Sequence, residues 1–365
     1  MAKKAKKVGV VGAGVSGLTC AIRAAEKGNR VTVLASEEGS RTTSSIAAAF
    51  HYPFWTGQKP DHSWYEPDWA ERTLREFELL AAEPEAGITK VNLLEYFSEE
   101  MTDPEIREVI DAMWWRLLPE IGFRELHPDE LEQKHLRRVR FKGGITFQTF
   151  VVNMSDYLGY LKRRCLELGV TFESGTVNNL SDLSPRFDTI INCSGIGARS
   201  LVADDVEEGK HRLSPVEGVV LRLSPLAGVR DISLIHTGNY FDSNPVYIVP
   251  RGGANPDTII GGTVTPESTL AERERKACTP QHIPFADLPE DHWSRPYVER
   301  ILADCFAFEP TLGEAEIMEV KIGYRPRRSP KVRLEKCGNV IHNYGHAGGG
   351  LTLSWGCADE VVSMI

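Results

Sequence analysis

Three stretches of this sequence have residue types and spacings that suit chemistry. Near the start, "GVVGAGVSGL" sets Gly12, Gly14 and Gly17 at G-x-G-x-x-G spacing. There the first glycine permits a tight turn, the second lets a pyrophosphate approach the backbone, and the third lets helix and strand pack closely. The amides of Val15 and Ser16 then open a helix whose positive end attracts phosphate. Further on, "GYRPRRSPKVRLE" (323–335) gathers Arg325, Arg327 and Arg328 beside proline. A guanidinium grips a carboxylate through two parallel hydrogen bonds, so a clamp for an acid substrate is expected here. Arg325 is the residue assigned to it, with Arg327 and Arg328 read as solvated. Finally, "VIHNYGHAGGGLTLSWGCA" (340–358) carries Gly348, Gly349 and Gly350. With Leu351 opening a helix, those amides would face a second electron-rich group.

An acid about twenty residues beyond the glycine loop would hold ribose hydroxyls. The sequence there reads Ala35-Ser36-Glu37, so either Ser36 or Glu37 must serve. "RTTSSIAAAFHYPF" (41–54) follows, with Arg41, Thr42, Thr43 and Ser44 ahead of a run of alanines. Hydroxyl clusters of this kind make turns, and small residues after them allow close approach of a flat ring. The loop alone does not choose between NAD and FAD. His342 and His346 stand at i, i+4, yet no carboxylate or thiolate completes a metal set, and both are expected to be hydrogen-bonding core residues.

Positioning these groups calls for a βαβ unit: a strand from Val8 to Val11, a helix to about Lys27 stopped by Gly28, and a strand from Val31 to Leu34. A helix followed by a strand recurs in 154–177, and "FDTIINCSG" (187–195) reads as a buried strand entering a glycine turn. Residues 71–135 are charged and helical in texture, whereas 212–265 hold β-rich runs. The expected fold class is therefore α/β. A Rossmann-like domain is drawn from 1–55, 140–205 and 320–365, and a mixed, largely antiparallel β domain for substrate from 56–139 and 206–319.

Of 365 residues, 41% are apolar and 25% charged, with a formal net charge of -9 and no basic stripe, which disfavours nucleic acid as a partner. Seven cysteines without a CxxC pair suit a reducing compartment rather than a disulfide framework. No run of roughly 18 apolar residues suggests a membrane span. The basic-then-apolar start carries its glycines where a signal peptide would not, and Ser363-Met364-Ile365 is not a peroxisomal address, so a cytoplasmic protein is expected.

Taken together, "GVVGAGVSGL", "TTSSIAAA", "IINCSGIGARSL", "VYIVP", "GYRPRR..KVRLE" and the 340–358 stretch resemble the D-amino acid oxidase family, which includes D-aspartate oxidases. The resemblance covers nearly the full chain. It implies an FAD-binding Rossmann-like domain, a mixed β substrate domain and a homodimer. It also implies oxidative deamination of D-amino acids, by hydride transfer from Cα to flavin N5, yielding 2-oxo acids, ammonia and, with dioxygen, hydrogen peroxide. By position, Arg325 resembles the arginine holding the substrate carboxylate, Tyr247 a tyrosine on the same carboxylate, and Gly348 the carbonyl receiving the amine. Thr43, Ser44, Ala48, Ala49, Val177, Cys193, Ser194, Gly195 and Gly348 to Thr352, through Gly349, Gly350 and Leu351, match FAD contacts. Ser243 stands where mammalian members carry a second tyrosine; Tyr240 lies nearby, and His51 falls close to the pocket. Neutral or apolar D-amino acids are the expected substrates. Acidic ones, reached by His51, Arg251 or an arginine near 327, are the alternative, as is a glycine- or sarcosine-type amine oxidase; a flavin-binding protein without turnover is the reading from a different class.

Overall fold

The computed structural model describes residues 5–52, 67–132, 134–136, 139–207, 210–236, 238, 240, 245–262 and 278–365. The apolar run after Lys7 forms strand β1 (Lys7–Ala13), the glycine turn leads into helix α1 (Val15–Glu26), and β2 (Arg30–Glu38) completes the unit. Val8, Val10, Leu18, Ala21 and Ile22 are buried between them, as the alternation and the helical spacing require. Gly28, at φ +81, takes the left-handed turn that ends the helix.

These elements belong to a six-stranded sheet in the order Arg333–Cys337, Val340–Tyr344, Thr189–Asn192, β1, β2, Thr171–Ser174. All pairings are parallel except the first, at the edge. Helix α1 packs against both Met154–Glu167 and Ser354–Ser363. The C-terminal ends of the parallel strands therefore converge on the glycine turn, the position where open α/β sheets bind ligands.

The second sheet has nine strands in the order Gln281–Pro284, Ile317–Arg328, Leu213–Leu223, Asp257–Gly261, Val246–Arg251, Ile232–Ile235, Ile88–Phe97, Gly143–Val152, Arg124–Glu125. It is antiparallel except where Ile232–Ile235 runs parallel to Ile88–Phe97. One face, with Val219, Leu221, Ile248 and Ile260, is covered by helix Arg295–Phe308 through Val298, Ile301 and Phe308. The opposite face, with Val220, Leu234, Val249 and Ile259, joins the core of the nucleotide half.

Two sequence expectations change. Gly143–Val152 and most of Ile317–Arg328, assigned to the Rossmann-like half, pair instead within the nine-stranded sheet. Ile88–Phe97, inside the region read as helical, is a long strand; Thr89, Lys90 and Asn92 are exposed, while Leu93, Glu95 and Phe97 turn inward.

Candidate active site

At the glycine turn, Gly12 has φ +106, and a Cβ there would lie 2.5 Å from the carbonyl oxygen of Cys193. A Cβ at Gly17 would fall 1.9 Å from the oxygen of Gly12, so only glycine lets α1 approach β1 this closely. Gly14 caps α1 with no side-chain hydrogen bond and no acid in the first turn, and the Val15 amide donates to Ser44 Oγ at 3.1 Å. The positive helix end thus faces the hydroxyl-bearing turn Thr43–Ile46. At the end of β2, Ser36 is exposed and Glu37 pairs with Arg41 at 2.7 Å, while Thr42 Oγ donates to Gly39 O. Beyond Thr189–Asn192, Asn192 Oδ1 accepts from the amide and the hydroxyl of Ser194, and Gly195 turns at φ +58. Cys193 lies 3.9 Å from Cys20, and that contact, together with burial, pushes its thiol pKa well up. Val177 packs beside Leu180 and Leu183.

Ala48 and Ala49 are buried, and Ala49 holds φ +63, an unusual backbone for a residue with a Cβ. Its carbonyl accepts from the Val152 amide, which locks the kink to the nine-stranded sheet. Ala347 repeats the feature at φ +49 in the tail loop, with its amide donating to Pro326 O. Small residues and left-handed kinks thus flank the space between the sheets on both sides. This donor set and these close backbones fit a flavin dinucleotide.

On the floor of that space lie Arg325 and Tyr247. The Arg325 guanidinium rests on Gly218, where a Cβ would stand 2.7 Å from Nη1, and also donates to Glu217 O at 3.3 Å. Tyr247 rests on Gly261, whose Cβ would fall 2.6 Å from the phenol oxygen. The two side chains hydrogen-bond each other; burial raises the Tyr247 pKa, and the guanidinium works against that rise. Gly348 closes the third side, its Cβ position 3.9 Å from Arg325 Cδ. Phe50 meets the Tyr247 ring edge-on, centroids 6.1 Å apart. The structure therefore brings Arg325, Tyr247 and Gly348 together.

The tail differs from expectation in one respect: the last helix begins at Ser354, not Leu351. Residues 348–353 form a turn secured by Gly349 N to His346 O and Leu353 N to Gly349 O. Gly350 lies inside it, Leu351 is buried, and Thr352 exchanges hydrogen bonds with the amide and carbonyl of Tyr52. His342 and His346 bond Asn192 and Asn343, and burial lowers both their pKa values to about 4.

Other expected residues lie elsewhere. His51 turns away from Phe50 and Tyr52, as alternation demands; its Nε2 meets Ala70 O and its ring packs on Phe77, with its pKa lowered to about 4 by burial. Arg251 is fixed by Asp257 through two hydrogen bonds, and Arg328, read as solvated, is buried against Asp205. Ser243 lies outside the described residues. Tyr240 is present, joined with Tyr52 and His236 on buried Glu95. The sequence reading named Tyr240 but missed Glu95 and its other partners; the only signal was an acid inside the apolar run "LLEYF".

A glycine loop, a kinked alanine run and an adjoining arginine–tyrosine pair fit a flavin-dependent oxidoreductase. The FAD dependent oxidoreductase family model matches residues 7–364, and the chain belongs to that family. It is 34% identical to the D-amino-acid oxidase of Rubrobacter xylanophilus over 97% of this chain and 94% of the relative. With human D-aspartate oxidase it shares 28% identity over 98% and 94% of the two chains. Among solved structures, glycine oxidase from Geobacillus kaustophilus superposes with a TM-score of 0.73 at 18% identity, covering 99% of this chain and 95% of that one, a likeness of fold. Among the described residues no helix is long and apolar enough to cross a membrane.

Proposed function

We propose that the protein is a D-amino-acid oxidase that uses FAD and prefers neutral or apolar D-amino acids. The observation that carries this reading is the Arg325–Tyr247 pair, set on two glycines and facing Gly348. A guanidinium and a phenol converging in a buried space recognise a carboxylate. Gly12, Gly14, Ser44, Ser194 and the 348–352 turn would hold the dinucleotide. Bound FAD would supply the two-electron acceptor for the α-hydrogen, with dioxygen returning it to the oxidised state and leaving as hydrogen peroxide.

The chain's own part is positioning. Arg325 and Tyr247 fix the carboxylate, the Gly348 carbonyl accepts from the amine, and the small, kinked alanines would leave room for a flat ring. No side chain need act as base. Such alignment alone lowers a barrier by roughly 7 to 11 kcal/mol. The imino acid then takes up water to give the 2-oxo acid and ammonia.

The test is an anaerobic absorption spectrum with D-phenylalanine, D-alanine and D-aspartate. Bleaching of flavin bands by the neutral D-isomers supports the reading; a yellow protein that none of them bleaches overturns it. Arg325→Ala should retain FAD and raise KM steeply, because a desolvated carboxylate loses its charged partner. The reading extends to a homodimer acting in the cytoplasm, checked by light scattering and by fractionation.

A further inference from the structure

Strand register leads from the carboxylate clamp to a second, buried carboxylate. Glu95 pairs with Leu234, Leu234 with Tyr247, and Tyr247 with Gly261, so these residues share one row and one face of the nine-stranded sheet. With adjacent strands about 4.8 Å apart, Glu95 stands roughly 10 Å from Tyr247, the reach of one extended side chain. Above the row, Phe50 meets Tyr247 edge-on. Two residues on, Tyr52 has its ring 6.3 Å from Phe50 and donates to Glu95 Oε2 at 2.8 Å. A substrate side chain directed along this row from Arg325 would point past Leu234 toward Glu95.

Glu95 is 1% exposed and anchors three ring-bearing side chains. His236 Nε2 lies 2.9 Å from Oε1, and the Tyr240 hydroxyl bonds both Glu95 and Tyr52. Tyr240 also stacks on His236 with centroids 4.2 Å apart, and its amide donates to Glu99 Oε1. Tyr52, Tyr240 and His236 thus converge on the two oxygens of one buried carboxylate. The far end is therefore a wall of aromatic faces with negative charge behind it.

We propose that Glu95 is the positioning residue that sets side-chain specificity, holding Tyr52, Tyr240 and His236 as a wall that admits uncharged side chains and rejects carboxylates. This rests on the D-amino-acid oxidase reading. The α-carboxylate at the clamp is common to all substrates, whereas a side-chain carboxylate lies nearer Glu95 than the clamp does; even at roughly 10 Å and an effective dielectric near 20, like charges repel enough to change affinity by about tenfold.

The test compares D-glutamine with D-glutamate, which match in size and differ in charge. The wild-type holoenzyme should favour D-glutamine in kcat/KM by about tenfold or more, mostly through KM. Glu95→Gln should shrink that preference by about tenfold, and Glu95→Asp should keep it. A merely structural role lowers both substrates alike, so an unchanged ratio in Glu95→Gln overturns the proposal. Should that variant fail to fold, the wild type still decides: 2-oxohexanoate should perturb the flavin spectrum at about tenfold lower concentration than 2-oxoglutarate, and equal affinities refute the idea. If no D-amino acid is turned over, the oxidase reading falls, while the 2-oxo acid titration still measures the charge selection.

Discussion

Replacing Gly218 by alanine should lower kcat/KM for neutral D-amino acids by roughly 10- to 150-fold with little loss of stability. The new Cβ would stand 2.7 Å from Arg325 Nη1 and 2.8 Å from Cζ, where ordinary contact begins near 3.4 Å, so the guanidinium must retreat by about 0.7 Å. Arg325 ends a flexible side chain, and moving its tip costs of order 1 kcal/mol. The retreat spoils the alignment of a charge-assisted hydrogen bond worth about 1.5 to 3 kcal/mol, which converts to the range given. The assay is peroxide release at varied D-phenylalanine, with the flavin spectrum and a thermal melt as controls. KM should rise more than kcat falls, because the lost contact grips the carboxylate before and during reaction. Unchanged kcat/KM in a folded, flavin-loaded Gly218→Ala would refute the placement of the carboxylate at this guanidinium.

Three further substitutions probe the frame. Gly12→Ala must hold φ +106 and press on the Cys193 carbonyl, so it should lose bound FAD and about 1 to 3 kcal/mol of stability, read by flavin release and urea melts. Gly356→Ala places a Cβ 2.2 Å from the backbone of Trp69, wedging two helices apart; its urea midpoint should fall by the equivalent of about 1 to 3 kcal/mol, and an unmoved midpoint would contradict the packing. Asp205→Ala strands buried Arg328 and should cost about 3 to 5 kcal/mol in a thermal or urea melt. Burial alone would raise the Asp205 carboxyl, but Arg328 and Tyr344 bring it below its ordinary 3.8, to about 2. Its stabilisation is thus complete above about pH 4 and disappears as pH falls through about 2, and wild-type acid melts should show a step there that Asp205→Ala lacks.

The glycine loop was legible because its three positions each answer a local steric demand, and β1, α1 and β2 follow from apolar periodicity. Arg325 was singled out by its guanidinium beside proline, but its grouping with Tyr247 and Gly348 came through resemblance, since nothing local says that segments far apart in sequence will be brought together. His51 was misplaced because the alternation that turns Phe50 and Tyr52 inward turns it out. Arg328 looked solvated because Asp205, its partner 123 positions away, leaves no local mark. The tail helix was begun too early because its glycine turn carries helix-like hydrogen bonds before Ser354. Ile88–Phe97 was hidden by its polar outer positions Thr89, Lys90 and Asn92, and Glu95 with it, since the partners that make that acid tolerable lie on two segments far from it in sequence, Tyr52 on one and His236 and Tyr240 on the other.

The Thr19 hydroxyl donates to the carbonyl of Ser354 across 335 positions, and Val340–Tyr344 pairs with the edge that Thr189–Asn192 would otherwise present. During synthesis, then, the nucleotide sheet must wait with an open parallel edge and an uncovered helix until nearly all of these residues have emerged. That is a long interval for an aggregation-prone intermediate. Dinucleotide captured as the sheet closes would draw the folding equilibrium toward the native state. The supply of flavin in the cell should accordingly govern how much of this protein survives its own biogenesis.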